Sequence, residues 1–323
     1  MKILVTGAAG FIGFHLAHSL LDDGHEVVGL DNFNDYYSVT LKRDRNAMLA
    51  KRKNYFGHET DICDRAALSE LFKTHKIDYV CHLAAQAGVR YSISHPYVYH
   101  RSNIEGFLNI LEACRTEKVK RLVYASSSSV YGGNTKLPFA ETDPVDTPIS
   151  LYAATKKANE LMAHSYSHLY KIQTVGLRYF TVYGPWGRPD MAMFTFTDAM
   201  LKGKPIQVFN NGDMLRDFTF VDDIIQGTKT AVFAEGLSPY EIINLGNHRA
   251  EKLMDMINTI AECLKVTPEL EFKPLQPGDV IATYADIQKA GTLLGFEPRT
   301  SISTGIPAFV DWYMDYHKTR NPE

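Results

Sequence analysis

The opening run MKILVTGAAGFIG constrains the fold more tightly than any other part of the chain. Ile3 to Val5 make a short apolar strand, and Gly7, Gly10 and Gly13 punctuate the turn into a helix expected to run to about residue 23. Glycines at such a turn let the chain reverse sharply, let backbone N–H groups approach a pyrophosphate, and let the helix pack closely on the sheet with its N-terminus facing the anion. The spacing is GxxGxxG rather than GxGxxG, and an ordinary strand-to-helix glycine turn is the alternative. The run EVVGLDN then reads as a buried strand ending in Asp31, roughly twenty residues beyond the glycines, where a carboxylate accepts ribose hydroxyls. The same carboxylate would repel an added phosphate, which favours NAD over NADP.

Apolar strands alternate with amphipathic helices along the first half, with strands expected at residues 2–6, 26–31, 55–59, 79–83, 121–126 and 174–178. That rhythm predicts an α/β chain with a Rossmann-like, doubly wound parallel sheet spanning residues 1–180. Beyond residue 180 the pattern becomes irregular and richer in Pro and Gly, as in GPWGRPDM, VFNNGDMLRDF and KPLQPGDV, which suits a smaller mixed α/β substrate domain over 181–323. A helix opened by Asp222 or Asp223 and the strand EIINLGN suggest that the chain returns to the first body at about 219–246. The 323 residues, 45% hydrophobic and 22% charged, suffice for about two domains. A net charge of -3 with no polybasic tract argues against nucleic acid or an anionic membrane as partner. No run is long and apolar enough to span a bilayer. Cys63, Cys81, Cys114 and Cys263 lack metal-type pairing and suggest reduced thiols in the cytoplasm.

The segment LYAATKKANE carries chemistry. Tyr152 and Lys156, at i and i+4, project from one helix face, so the ammonium can sit beside the phenol, favour the phenolate and make a general base. The same spacing also occurs on plain amphipathic surface helices, so the reading rests on its neighbours. The serines of YASSSSVYG do not form a GxSxG elbow and match no Ser/His/Asp arrangement. His164 and His168 share a helix face but lack a third ligand, so no metal site is expected. Asp222 and Asp223 read better as helix caps than as a carboxylate pair.

Together these motifs resemble the extended branch of the short-chain dehydrogenase/reductase superfamily over essentially the whole chain. The resemblance implies cofactor contacts from Gly7, Gly10, Phe11, Ile12, Gly13, Asp31 and Asn32, and adenine contacts from Asp61 and Ile62 in ETDICD. It implies contacts along the cofactor's back from Leu83, Ala84 and Ala85 in HLAAQ, support of the nicotinamide side from Asn103, and a strand end beside the nicotinamide at Tyr179 in RYFTVYGP. Ser127 matches the residue that hydrogen-bonds the reacting sugar hydroxyl, completing a catalytic set with Tyr152 and Lys156.

Arg216 in MLRDFTF matches the superfamily's diphosphate-binding arginine, Asp279 in QPGD an acid near the nucleotide, and Val208, Phe209 and Asn210 an edge that meets a uracil. Read alone, these are a surface arginine, a turn aspartate and a plain strand. Ser129 stands where dehydratases and decarboxylases of the superfamily commonly carry Glu. Thr181 stands where UDP-galactose epimerases carry Asn, and Gln276 where they carry a second arginine. Thr181, the PWGRPDMA run with Arg188, and LQPGDVIATYAD resemble the UDP-glucuronate 4-epimerases. That resemblance implies tightly bound NAD, transient oxidation at carbon 4, and sugar contacts from Arg90, Ser128, Thr181 and Arg188. A UDP-glucose or UDP-N-acetylglucosamine 4-epimerase and a UDP-glucuronate decarboxylase are the alternatives. A homodimer is implied through the helix bearing Tyr152, with the apolar residues of 103–114 serving either that interface or the core. Phe14, where relatives often carry a small Ser, has no reading at this level.

Overall fold

The computed structural model describes residues 1–275 and 280–320, so that Gln276 and Asp279 lie outside the described residues. The first half runs β1 (Lys2–Thr6), α1 (Phe11–Asp22), β2 (Glu26–Asp31), α2 (Val39–Ala50), β3 (Tyr55–Glu59), α3 (Arg65–His75), β4 (Tyr79–His82), α4 (Tyr91–Ser94) and α5 (Pro96–Tyr99). A π-helical turn, His100–Glu105, leads into α6 (Gly106–Thr116), β5 (Arg121–Ser127), α7 (Leu151–Tyr170) and β6 (Gln173–Tyr179). Then follow β7 (Thr181–Tyr183), α8 (Ala192–Leu201), β8 (Ile206–Phe209), β9 (Leu215–Arg216), β10 (Phe218–Phe220), α9 (Val221–Phe233) and β11 (Tyr240–Leu245). The chain closes with β12 (Glu251–Lys252), α10 (Leu253–Leu264), β13 (Leu270–Lys273), α11 (Gln288–Leu294) and α12 (Ile302–Arg320).

Seven strands form one sheet in the order β11-β6-β5-β4-β1-β2-β3. Every pairing in it is parallel. Parallel neighbours require crossovers, and the intervening helices cover both faces of the sheet. The period of two is visible in β1 itself. Ile3 and Val5 enter the core shared with Leu16 and Leu20 of α1 and Ile224 of α9. Leu4 enters the opposite core with Phe107 and Leu111 of α6 and Leu122 of β5. Strand order reverses beside β1, and the β1, β4, β5 and β6 C-terminal ends open there onto one cleft, the position where open α/β sheets bind ligands.

Smaller two-stranded ladders lie beyond this end: β7 with β10, β9 with β12, and β8 with β13. Strand limits move little from those expected. β4 stops at His82 rather than residue 83, because the Leu83 and Ala84 N–H groups turn onto Thr6 Oγ1 at 3.2 and 3.1 Å.

One expectation changes. Asp222 and Asp223 do not cap α9, whose N-cap is Phe220; they lie in its first turn, where Asp223 accepts the Arg299 and Thr300 N–H groups at 3.2 and 3.0 Å. Carboxylates there still favour the positive end of the helix. Of the apolar residues of 103–114, open to either reading, Phe107, Ile110, Leu111 and Cys114 are fully buried in the core while Leu108 is exposed. His164 packs edge-on against Tyr240 at 4.9 Å, and no group of three metal-ligating side chains occurs among the described residues. All four cysteines are unpaired, and no described helix is long and apolar enough to cross a membrane.

Candidate active site

A cavity of about 1150 Å³ runs across the C-terminal edge of the sheet and into the segments after β6. Single-ligand pockets rarely exceed about 1,000 Å³, so this one has room for two ligands end to end.

One end is built by the glycine loop. Gly7 takes φ +70°, and a Cβ there would lie 2.9 Å from Ala84 N; a Cβ on Gly13 would lie 2.0 Å from the Gly7 carbonyl oxygen. Gly10, the N-cap of α1, offers no side chain, and the first turn of α1 carries no acidic residue. The first-turn N–H groups, which have no intrahelical acceptor, are therefore left to an anion at a positive helix end. Gly7, Gly10, Phe11, Ile12 and Gly13 all line the cavity. Asp31 stands at the end of β2, its carboxylate oriented by the Phe33 N–H at 2.9 Å and the Ala9 N–H at 3.1 Å. Burial pushes its carboxyl upward, against these two donors.

Asn32, Asp61, Ile62, Leu83, Ala84 and Ala85 continue the same wall. Asp61 is oriented by the Cys63 N–H at 2.8 Å and pairs with Arg101 at 3.3 Å. Asn103 does not line the cavity. It is buried in the π-helical turn, where its amide oxygen accepts the Gln86 N–H at 2.8 Å and its Nδ2 donates to Gln86 O and Thr155 Oγ1, both at 3.0 Å. Thr155 Oγ1 in turn donates to the Tyr152 carbonyl at 2.8 Å. Asn103 thus braces the wall of 83–86 against α7 from behind, and the π-helical turn is what aims it inward.

Tyr152 and Lys156 face the cavity from one side of α7, and Ser127 and Ser128 face them from the end of β5. Burial raises the Tyr152 phenol, while the Ser127 hydroxyl and the charge of Arg188 draw it down. The sequence suggests Lys156 as the source of that charge. Its ammonium instead donates to the Ala125 carbonyl at 2.8 Å, and burial lowers it to about 8. In the protein alone the amine is therefore losing its charge before the buried phenol ionises. Ser127 Oγ donates to Ser129 Oγ at 3.0 Å, and also accepts the Ser129 N–H at 3.1 Å.

The far half of the cavity is lined by Tyr179, Thr181, Arg188, Phe209, Arg216 and Arg90. Arg188 is held in a fork by Asp190, with Nε to Oδ1 at 3.0 Å and Nη2 to Oδ2 at 2.5 Å, and the Tyr36 hydroxyl donates to the same carboxylate at 3.0 Å. Arg90 stacks over the Phe209 ring at 4.8 Å. Arg216 donates to the carbonyls of Leu215 and Ile281 at 2.9 and 3.0 Å. Val208 is fully buried and Asn210 folds back to donate to Asp213 O, so of the three residues at that edge only Phe209 reaches the cavity.

Several supporting residues escaped the sequence. Glu160 lies one helical turn beyond Lys156 on α7 and forms a buried pair with Arg178 of β6 (2.8 Å) while accepting from Ser126 Oγ at 2.7 Å. Its i+4 spacing from Lys156 was the available signal. His82 is buried, held near 3 by desolvation, and bonded to Thr6 Oγ1 at 2.8 Å. Phe14 also finds its reason: its ring packs on Trp186 at 5.6 Å, a contact a serine could not make.

The cradle thus fits a dinucleotide: an anion-ready helix end free of side chains, a ribose-facing carboxylate, and a polar constellation of Tyr, Lys and Ser at its far end. Comparison with known proteins agrees. The family model for the NAD dependent epimerase/dehydratase family matches residues 3–246. UDP-glucuronate 4-epimerase 2 of Arabidopsis thaliana is 47% identical over 98% of this chain and 77% of its own length. A crystal structure of UDP-glucuronic acid 4-epimerase from Bacillus cereus, in complex with UDP-glucuronic acid and NAD, superposes with a TM-score of 0.93 at 38% identity, covering 98% of this chain and 100% of that one. The UDP-glucose 4-epimerase of Thermotoga maritima, solved with UDP-glucose, superposes with a TM-score of 0.89 at 31% identity, covering 98% and 100%. Matched over most of its length by model, sequence and fold alike, the chain belongs to the NAD dependent epimerase/dehydratase family.

Proposed function

We propose that this protein is a UDP-glucuronate 4-epimerase, interconverting UDP-glucuronate and UDP-galacturonate by oxidation and re-reduction at carbon 4. The observation that carries this reading is the make-up of the wall beside Tyr152. It consists of the hydroxyls of Ser127, Ser128, Ser129 and Thr181, with Arg188 already half-neutralised by Asp190. Such a wall can donate hydrogen bonds to a carboxylate at carbon 6 without fixing it in an immovable ion pair. The sugar must turn over between the two half-reactions, so that looseness is a requirement.

We infer that the sheet body, residues 1–180 with its return at 219–246, holds the dinucleotide, and that the rest of the chain holds the sugar nucleotide. The glycine loop and Asp31 would hold NAD, which would supply reversible hydride transfer at carbon 4. Tyr152, as phenolate, takes the proton of the carbon 4 hydroxyl and, once the 4-keto sugar has turned its other face to the cofactor, returns it to the same oxygen. Ser127 orients that hydroxyl, and Lys156 steadies the phenolate side from its perch on the Ala125 carbonyl. Thr181, the serines and Arg188 hold the carboxylate of the 4-keto acid in the plane of the carbonyl, the alignment that prevents loss of carbon dioxide. Arg216 and Phe209 suit a diphosphate and a base.

The test is to incubate the purified protein separately with UDP-glucuronate and UDP-glucose, resolving products by proton NMR while following NADH absorbance. UDP-galacturonate without lasting NADH is expected. Turnover of UDP-glucose alone, or a decarboxylated pentose product with accumulating NADH, overturns the reading.

Replacing Arg188 with Met should lower kcat at neutral pH about ten- to hundredfold, the value of a hydrogen bond to a charged group. Because the cation draws the phenol of Tyr152 down, its loss raises that phenol. A base works when deprotonated, so the acid limb of the kcat profile should move to higher pH. The pentose fraction should also rise; a variant that loses epimerisation with an unmoved limb and no pentose refutes both roles.

We also infer a homodimer, through α7, the helix bearing Tyr152, and the outer face of α6 beside it. Leu108 of α6 and Leu161, Leu169 and Tyr170 of α7 are exposed, and the two helices lie side by side, with the Tyr166 hydroxyl donating to Glu112 at 2.6 Å. Apolar side chains grouped on neighbouring helices mark an interface. Sedimentation should give a dimer for the native protein and a monomer for Leu161→Glu; a native monomer at micromolar concentration rules it out.

A further inference from the structure

Arg45 is buried with no carboxylate hydrogen-bonded to it, although its charge is felt by Asp31. It lies on α2 at 0% exposure, and its Nη1 donates to the Ala9 carbonyl at 3.0 Å and to the Tyr37 hydroxyl at 2.9 Å. Its Nη2 donates to the carbonyls of Trp186 and Gly187 at 2.5 and 3.1 Å, while its Nε is buried with no hydrogen-bond partner. A guanidinium taken out of water onto neutral acceptors alone is a costly arrangement. Its partners show what the arrangement secures. Ala9 sits inside the glycine loop and gives its own N–H to Asp31. Gly187 immediately precedes Arg188, which faces the sugar end of the cavity.

One rigid, planar group therefore ties the dinucleotide loop to the segment that carries Arg188. That segment is held in a conformation it would not keep alone. Trp186 has φ +60°, uncommon for a bulky side chain, and its ring is wedged against Phe14 of α1 and against Trp312 and Tyr316 of α12 at 5.6, 5.3 and 5.2 Å. Pro185 O is taken by His15 at 2.9 Å, from the same helix as Phe14. Three successive carbonyls of the segment thus lean on α1 and α2, the elements that frame the dinucleotide cradle.

We propose that Arg45 is a positioning residue that couples the glycine loop to Arg188, so that the sugar end of the site is set only when the dinucleotide end is set. This rests on the 4-epimerase reading above, in which a misplaced Arg188 lets the 4-keto acid lose carbon dioxide. Atoms balance simply: the carbon 5–carboxylate bond breaks, its electron pair passes into the enolate of the 4-ketone, carbon dioxide leaves, and a proton from water gives the UDP-4-keto-pentose while the hydride stays on the cofactor.

The test compares the native enzyme with Arg45→Lys and Arg45→Met in the ratio of UDP-4-keto-pentose to UDP-galacturonate formed from UDP-glucuronate. A ratio does not depend on how much enzyme is folded, so a merely structural role leaves it unchanged. It should rise about two- to thirtyfold, the range for residues that carry coupling between sites. The lysine keeps the charge but cannot span both loops, so it should behave like the methionine. Native enzyme that makes no UDP-galacturonate refutes the epimerase reading; native turnover with an unchanged ratio in both variants refutes the coupling. A second measurement needs no variant: amide hydrogen exchange across residues 184–188 should be slower in native protein holding NAD than in the same protein stripped of it, and equal exchange there overturns the proposal even if both variants fail to fold.

Discussion

Tyr152→Phe should leave a folded, dinucleotide-binding protein whose kcat has fallen by about a hundred- to ten-thousandfold, the usual contribution of a positioned general base. The change removes one hydroxyl. The ring stays half-buried on the cavity side of α7, edge-on to Tyr99 at 6.1 Å, and the helix keeps its Ser150 cap, whose side chain accepts the Ala153 N–H at 3.1 Å. Stability should therefore shift by no more than about 1–2 kcal/mol, the scale of one hydrogen bond. Because the phenol acts on the proton in flight rather than on the resting sugar, kcat should carry the loss and KM should move little. Steady-state kinetics beside a denaturant titration separates the two effects. A variant retaining a tenth or more of native kcat would remove Tyr152 from the role of base and leave Ser127 or a water to be examined in its place.

What the sequence displays and what it hides divide along a physical line. The glycine loop, Asp31, Tyr152, Lys156 and Ser127 are legible because each belongs to a short local pattern in which chemistry and backbone geometry coincide. Gly13 must lack a Cβ for the same reason that it marks the motif. The parallel sheet is legible because its strands are apolar and regularly spaced. The supports of the site are not local. Arg45 in LKRDRNA reads as one more solvated charge on a helix, and only the distant segment 185–187 explains its burial. Asn103 needs a π-helical turn, which has no composition signature, to face Gln86. The stripe Phe107, Ile110, Leu111 and Cys114 has the same periodicity whether it meets a partner or its own sheet. Periodicity states that a face is covered; only the fold states by what.

Glu160 is the strongest instance of a residue hidden in plain view, and its removal should have the largest effect on stability. Its carboxylate is essentially fully buried and takes Arg178 in a fork, Nε to Oε1 at 2.8 Å and Nη2 to Oε2 at 2.9 Å, with Ser126 Oγ donating at 2.7 Å. Arg178 passes the connection on to the Tyr131 hydroxyl at 3.0 Å, and Tyr131 to Asn244 at 2.7 Å. The network thereby joins α7, β5, β6 and β11 directly behind the strand end that presents Ser127. Glu160→Ala leaves the Arg178 guanidinium buried and uncompensated, and should cost about 3–5 kcal/mol in denaturant unfolding, as other broken buried pairs do. Removing both charges as Glu160→Leu with Arg178→Met should cost far less, since a well-packed apolar pair escapes the desolvation penalty altogether. Activity should not recover in step. With Ser126 no longer held, the hydroxyl of Ser127 loses its fixed approach to Tyr152, and kcat should stay depressed in the double variant even where stability returns. A single variant within about 1 kcal/mol of native would mean that the pair is screened by water after all. A double variant restored in both stability and kcat would mean that the network serves the fold alone.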